Sequence, residues 1–395
     1  MKSILFLGGS HGQLPAIRYA KKQGYRIILI DYLPNNPGKK YADIYYSDST
    51  TDIERVFFIA QKENIDAVIA YASDPAAYTA AYISEKLNLV GSPAKSVLEL
   101  SDKYLFRQLQ KRLGLNVPLF FLLDSFDFFV EIIKRHIGKK FILKPVDSSG
   151  SKGVMIIDSP DDLQGAFFES LKFSRSNKLI LEEYIPKKGP QIHGEAFVEN
   201  GKLKTLTLGD QFFDRKTGII PYSTIVPSLF YPDIENIVWN DIQKIIKETG
   251  FITGGLNIEL IISEDDKIFI LEIGPRSGGN FMPNLIAQYT GFDITKASID
   301  VLFNLPVDYS TTHREGHFAQ IILHSYAHGR LNKIHIPTEF SVLEKFIYYN
   351  SGDKISEYRN SRDVIGVLIG KLTRAFNNYL EYQSWLHNQK FVELV

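Results

Sequence analysis

GLNIELIISEDDKIFILEIG (255–274) reads as two apolar strands, GLNIELII and KIFILEI, folded back on each other around Glu264–Lys267. With Ser263 placed opposite Ile268, Ile261 falls opposite Ile270 and Glu259 opposite Glu272. Directly opposed residues share one face of a ladder, and two carboxylates placed so repel each other unless a cation lies between them. Hard oxygen ligands in that arrangement suit Mg²⁺ held jointly with phosphates. A register slip of one residue, or a solvated hairpin edge, would separate the two acids. The hairpin predicts an antiparallel sheet and, on it, a candidate metal pair.

Upstream, FILKP (141–145) and VMIID (154–158) are strands joined by the polar loop VDSSGSKG. A loop between two strands, rich in Ser and Gly, is a flap whose N–H groups can form an anion-binding nest. Lys144 stands just before it and Lys152 inside it; a plain hairpin with a solvated lysine has the same composition. LILEEYI (179–185) is an apolar strand emerging into two acids. Glu182, Glu183 and the main chain at Ile185 could meet the amino group and a ring nitrogen of adenine, although acids at strand ends are common. EAFVENGKLKTLTL (195–208) is a hairpin about Glu199-Asn200-Gly201, and helices packed on one side of such hairpins make an α+β region.

The first hundred residues differ. Apolar strands at 3–8, 26–31 and 66–71 alternate with helices at 14–24, 53–64 and 75–87, and a further helix covers 101–114. That alternation predicts a parallel α/β sheet covered on both faces. GGSHG (8–12) with Asp31 invites a dinucleotide site, but the glycines fall at 8, 9 and 12, so the G-x-G-x-x-G spacing is absent. No Walker A sequence is present either. After about residue 305 short strands (318–323, 363–370) and one terminal helix form a third segment.

The 395 residues suffice for two to four units of about 100–200 residues each. Lys+Arg number 45 and Asp+Glu 45, a balance that argues against a nucleic-acid binder. Without cysteine there is no thiolate nucleophile and no Cys-ligated metal. A membrane span needs roughly 20 apolar residues; VPLFFLLDSFDFFVEII (117–133) is cut by Asp124, Asp127 and Glu131. The apolar run at the N-terminus stops at Gly8, so no leader is expected. A soluble, cytoplasmic protein is expected.

Taken in order, Lys103, Lys144 with its Gly/Ser flap, EEYI, Glu195, Glu259 and LEIGPR resemble the ATP-grasp superfamily. The resemblance points to the branch of carbamoyl-phosphate synthetase, biotin carboxylase and purine carboxylase. It implies a Rossmann-like pre-ATP-grasp domain at 1–100, a two-part ATP-grasp domain at 101–305 and a small α+β segment at 306–395. It implies that Lys103 and Lys144 contact the phosphates of ATP under the flap residues Ser148, Ser149, Gly150, Ser151 and Gly153. Glu182, Glu183, Tyr184 and Ile185 would form the adenine hinge, and Glu195, with His193 nearby, would take the ribose hydroxyls. Glu259 and Glu272 would bind Mg²⁺, and Arg276 would steady the transferred phosphate. One departure stands out: the family commonly has Asn two residues after the second metal Glu, and here that residue is Gly274. Asn257, Asn280 or a water would then take its place.

The activity implied is an ATP- and Mg²⁺-dependent carboxylate–amine ligase working through an acyl-phosphate. Three rivals stay open: a carboxylase using bicarbonate, a non-catalytic nucleotide binder and an NAD-dependent dehydrogenase. The expected partners are a small carboxylate and an amine, with no nucleic acid and no membrane; a homodimer is left open. The stretch 209–228, with Asp210, Asp214, Arg215 and Tyr222, is expected to border the acceptor pocket, and its mixed charge suits a zwitterion such as an amino acid.

Overall fold

The computed structural model describes residues 1–159, 161–216, 218, 220–359 and 363–395. Four strands open the chain as a parallel sheet in the order Ile44–Tyr46, Arg26–Ile30, Ser3–Leu7, Ala67–Ile69. Ile4, Leu5, Phe6 and Ile27 to Ile30 are fully buried because helices cover both faces. Ala16, Ile17 and Ala20 of helix Leu14–Lys22 pack on one face. Helices Ile53–Glu63 and Asp74–Lys86 pack on the other through Val56, Ile59, Ala76 and Ile83. The chain order reverses between Ser3–Leu7 and Ala67–Ile69, which opens a crevice at their carboxyl ends. Asp31 spends both oxygens on its own turn, accepting from the N–H of Gly9 at 2.8 Å and of Leu33 at 2.8 Å. It is a loop cap.

A small antiparallel sheet follows, in the order Phe120–Leu123, Leu179–Glu183, Phe141–Pro145, Met155–Ile157. Helices Phe126–Arg135 and Leu163–Leu171 cover it with Phe129, Ile132 and Phe167. The run 117–133 is therefore a strand and a helix, parted at Ser125, whose hydroxyl caps the helix by accepting from the N–H of Phe128. Among the described residues no helix is long and apolar enough to cross a membrane.

The largest sheet has eight antiparallel strands: Ile268–Gly274, Gly254–Ile262, Gln191–Glu199, Lys202–Phe213, Pro221–Val226, Phe318–Leu323, Gly366–Leu372, Phe340–Ile347. The last three, all beyond residue 305, continue the sheet begun before it. Side chains alternate across it. Ile192, Ala196, Leu206, Leu256, Ile258 and Ile273 face helix Ile234–Thr249 and bury against its Ile242, Ile245 and Ile246. The opposite face carries Gln191, His193, Glu195, Asn257, Glu259 and Glu272 in neighbouring register. Helix Ile234–Thr249, the longest among the described residues, was not expected from the sequence, although its Ile and Val spacing and its left-handed stop at Gly250 are regular.

The strands crowd where this polar face is lowest. Gly209 lies opposite His193, and a Cβ built on it would fall 2.0 Å from the carbonyl oxygen of Ile225. Gly209→Ala should therefore force the strands apart and lower stability by about 1–3 kcal/mol. Urea unfolding checks this: the midpoint should fall at constant slope, and an unmoved midpoint would show that the spacing is not set there.

Candidate active site

Glu259 does stand opposite Glu272, but by a route the pairing arithmetic missed. Near the turn the register is one residue tighter. Ser263 donates to the carbonyl of Lys267 at 2.9 Å, and Ile261 pairs with Phe269, not Ile270. The turn closes early because Asp266 adopts a left-handed conformation and the Ser263 hydroxyl accepts from the N–H of Lys267. A bulge between Glu259 and Leu260 leaves Leu271 over on the facing strand and restores the pairs Glu259–Glu272 and Asn257–Gly274.

That bulge has a partner the sequence reading did not single out. Arg107, on helix Lys103–Arg112, donates from Nη2 to the carbonyl of Leu271 at 2.9 Å and from Nη1 to that of Ile270 at 3.3 Å. Gln110 donates to the same Ile270 carbonyl at 2.8 Å and accepts from Arg107 Nη1 at 2.7 Å. Arg107 Nε lies 2.8 Å from Glu182 Oε1, an ion pair outside hydrogen-bond geometry, and Glu182 Oε2 accepts from Lys144 Nζ at 2.5 Å. The signal was local: Gln110 interrupts the apolar stripe of Phe106 and Leu109, and both polar side chains are buried.

Charge follows from this packing. Burial alone would raise the Glu182 carboxyl, but Arg107 and Lys144 hold it down to about 2. Its side chain is engaged by both Arg107 and Lys144. Glu183 pairs with Lys139 at 2.7 Å. The N–H groups of Glu183 and Tyr184 go to Leu119 and Lys140, whereas that of Ile185 makes no backbone bond among the described residues. Burial first, then Glu272 and Asp74, push Glu259 up to about 7, with Arg276 acting the other way. Gln191 donates to Glu259 at 2.8 Å. Opposed carboxylates, one of them held partly protonated, are a pair short of positive charge, and Mg²⁺ fits that donor set. No group of three His, Asp or Glu side chains is gathered around one point among the described residues.

Cations border the pair. Lys103 Nζ donates to the carbonyl of Ser148 at 2.6 Å and lies 3.7 Å from Glu272 Oε2, so it spans from the flap to the hairpin. In the flap Gly150, Ser151 and Gly153 take left-handed conformations, and Gly150 to Lys152 are exposed. Ser149 is half-buried. Arg276 is clamped by Asp74, whose Oδ1 accepts from Nε at 2.6 Å. Glu195 accepts from the N–H of Gly278, and burial pushes it up to about 8; its Oε2 is buried without a partner. Asn257 donates to His193 Nε2 at 2.7 Å and to the carbonyl of Gly194 at 3.2 Å, which places the imidazole proton on Nδ1. Burial and then Arg276 lower His193 to about 4, so it stays neutral.

The stretch 209–228 divides. Asp210 points to the opposite face, fully buried, accepting from the hydroxyl of Ser228 and the N–H groups of Leu229 and Phe230. It is a loop cap, because strand alternation puts residue 210 on the side away from His193. Asp214 accepts from Tyr326 at 2.8 Å, Arg215 is exposed, and Tyr222 packs its ring against His324. Thr217 and Ile219 lie outside the described residues.

Arg107→Met should leave Glu182 facing Lys144 alone and strip the bulge carbonyls of their donors. Loss of one partner from a buried ion pair costs about 3–5 kcal/mol, and Arg107→Lys should recover little because an ammonium cannot span the same acceptors. Denaturant titration of both variants checks it; a cost below about 1 kcal/mol would demote the cluster.

Residues 137–284 match the ATP-grasp domain family. The carbamoyl phosphate synthase large chain of Rubrobacter xylanophilus is 24% identical over 321 residues, covering 75% of this chain and 29% of that protein. The chain thus spans about three tenths of the length of the curated relatives it matches. An L-amino acid ligase from Bacillus licheniformis superimposes with a TM-score of 0.78 at 17% identity, over 100% of this chain and 98% of the other. The biotin carboxylase domain of the Hydrogenobacter thermophilus 2-oxoglutarate carboxylase, solved with MgADP and bicarbonate, gives 0.76 at 21%, over 94% and 86%. Residues 137–284, which carry the flap, the acids and the lysines of the polar face, are thus similar to the ATP-grasp domain family.

Proposed function

We propose that this chain is an ATP- and Mg²⁺-dependent ligase that activates a carboxylate as an acyl-phosphate and passes the acyl group to an amine. The observation that carries the reading is the single polar face on which Glu259 and Glu272 oppose each other, with Lys103 bridging to the flap and Arg276 at its rim. ATP would lie between the two antiparallel sheets, within residues 101–305. Its adenine would meet the N–H of Ile185, its ribose Glu195, and its phosphates Lys103, Lys144 and the flap residues 147–153. Glu259 and Glu272 would hold Mg²⁺, which supplies charge neutralisation on the phosphates. A chain without cysteine suits a reducing compartment, and we propose the cytoplasm as its place of action.

The chemistry asks for positioning more than for a nucleophile. A carboxylate oxygen of the substrate attacks the γ-phosphorus, and the bond to ADP breaks. The amine lone pair then attacks the acyl carbon; phosphate leaves and the amine loses a proton. Lys144, oriented by Glu182, and Arg276, oriented by Asp74, face developing negative charge without reorganising. Closure of the flap would keep water from the acyl-phosphate.

Phosphate release across a panel of amino acids and small carboxylates, with hydroxylamine to trap the acyl-phosphate, tests the reading. Hydroxamate formed with one carboxylate supports it; ADP release that depends on bicarbonate alone would make the chain a carboxylase instead. Lys144→Ala should lower turnover about 10²–10³-fold, and wild-type turnover would remove Lys144 from the mechanism.

The acids add a pH signature. A carboxyl raised in the folded chain takes up its proton well above the ordinary carboxylate range, so stability falls as pH rises toward about 7 for Glu259. A divalent ion must displace that proton. Calorimetry in buffers of differing ionisation heat should find more protons released on Mg²⁺–ADP binding at about pH 6.5 than at about pH 8.5. Glu259→Gln should lessen the difference; an identical release profile in that variant would place the titration elsewhere.

A further inference from the structure

The polar face does not end at the acids. Gln191, Gln211, Thr224 and Gln320 stand opposite one another on four neighbouring strands, Gln191–Glu199, Lys202–Phe213, Pro221–Val226 and Phe318–Leu323. Directly opposed residues share a face, so the four form one row on the side of the sheet that carries His193 and Glu259. One end of the row is tied to the acid. Gln191 Nε2 donates to Glu259 Oε2 at 2.8 Å and to Gln211 Oε1 at 2.9 Å, so both its protons are engaged. Gln211 is left with an NH2 group that has no acceptor among the described residues. The Thr224 hydroxyl has one side-chain partner among them, His193 Nδ1 at a long 3.5 Å. Gln320 is 2% exposed and makes no side-chain hydrogen bond among the described residues; its Oε1 is buried without a donor. Its neighbours on the same face are apolar and buried: Phe318 and Ile322 along the strand, Ile369 across the ladder.

A buried amide that bonds to nothing lowers stability, and this one stands in line with two further donors that are free to turn to a ligand. The row contains no charged side chain. Asp210 points to the opposite face, and Asp214 is held by Tyr326. We propose that this row seats the part of the substrate remote from the reacting carbon, and that the group it takes is uncharged and both donates and accepts hydrogen bonds, as a carboxamide or a hydroxyl does. The proposal rests on the ligase reading above and names what that ligase accepts. Gln211 and Thr224 would donate to the ligand's oxygen, and Gln320 Oε1 would accept from its N–H or O–H. A carboxylate or an ammonium placed there would leave water with no opposite charge to meet it. An alkyl group would leave the Gln320 amide as bare as before. Because the row leads through Gln191 to Glu259, a substrate laid along it brings its other end toward the metal pair.

The test has two halves. In urea and without ligand, Gln320→Leu should unfold at a higher midpoint than wild type, since an unpartnered amide gives way to a side chain that suits its apolar neighbours. An equal or lower midpoint would show the amide already satisfied in the free protein and would overturn the proposal. The second half reads ADP release with threonine, valine, glutamine, methionine, glutamate and lysine, singly and in pairs. Threonine should exceed valine, and glutamine should exceed methionine, by about tenfold or more in kcat/KM; both should exceed glutamate and lysine. Gln320→Leu should erase the two preferences. Thr224→Val should narrow them, and serves if the leucine variant does not fold. Wild-type ratios in both variants, or a wild-type preference for a charged side chain, would overturn the seat and leave the ligase reading standing. Turnover of none of these amino acids would also overturn the seat, and the ligase reading falls with it only if the hydroxamate panel is blank as well.

Discussion

A guanidinium taken out of water holds the site in register. Arg107 is 1% exposed, and such burial is tolerable only because its charge is paired and its Nη groups find acceptors. It finds two carbonyls of the bulge and one carboxylate of the small sheet, so one side chain joins the two halves between which a nucleotide would bind. The bulge turns a hairpin with an inconvenient turn into one that presents two acids side by side. Without Arg107 and Gln110 its carbonyls would face a dry interior, and the cheaper regular ladder would move Glu272 off the polar face.

The acids and cations of the site are arranged as oriented pairs rather than as free charges. Glu182 aims Lys144, Asp74 aims Arg276, and Lys103 answers both a flap carbonyl and Glu272. Charges fixed in this way need little rearrangement when phosphate arrives, and preorganisation of that kind is where such sites gain rate. The neutral His193 and the raised Glu195 belong to the same economy, because deep burial disfavours any charge that lacks a partner.

Much of the fold was legible because it is written locally. The βα alternation of the first hundred residues is a matter of periodicity, and the turn at Asn200-Gly201 declares itself by two residues that accept left-handed backbone. Glu259 opposite Glu272 was legible from counting, although the count was right at the acids and wrong at the turn, where the bulge compensates for an early closure. What stayed hidden is non-local. Asp74 and Arg276 are 202 residues apart, and nothing in either segment announces the other. Asp210 looked like a site acid because composition does not say which face a strand residue takes until its neighbours are known. Helix Ile234–Thr249, by contrast, carries a clear helical period in its Ile and Val spacing and a left-handed stop at Gly250, so it is legible locally.

The continuity of the eight-stranded sheet bears on how this protein can fail. Strand Pro221–Val226 has neighbours on both sides only because Phe318–Leu323 completes it, and Phe318–Leu323 in turn leans on Gly366–Leu372. A chain cut, nicked or stalled near residue 305 would bare one edge of an uncharged run rich in β-branched residues, Ser223-Thr224-Ile225-Val226, with the N–H and C=O groups that faced Phe318–Leu323 unpaired. Such a rim invites another copy to add itself by strand exchange. Partial products of synthesis or digestion should therefore be more prone to self-association than to simple loss of activity, and the last ninety residues act as an intramolecular gatekeeper against aggregation.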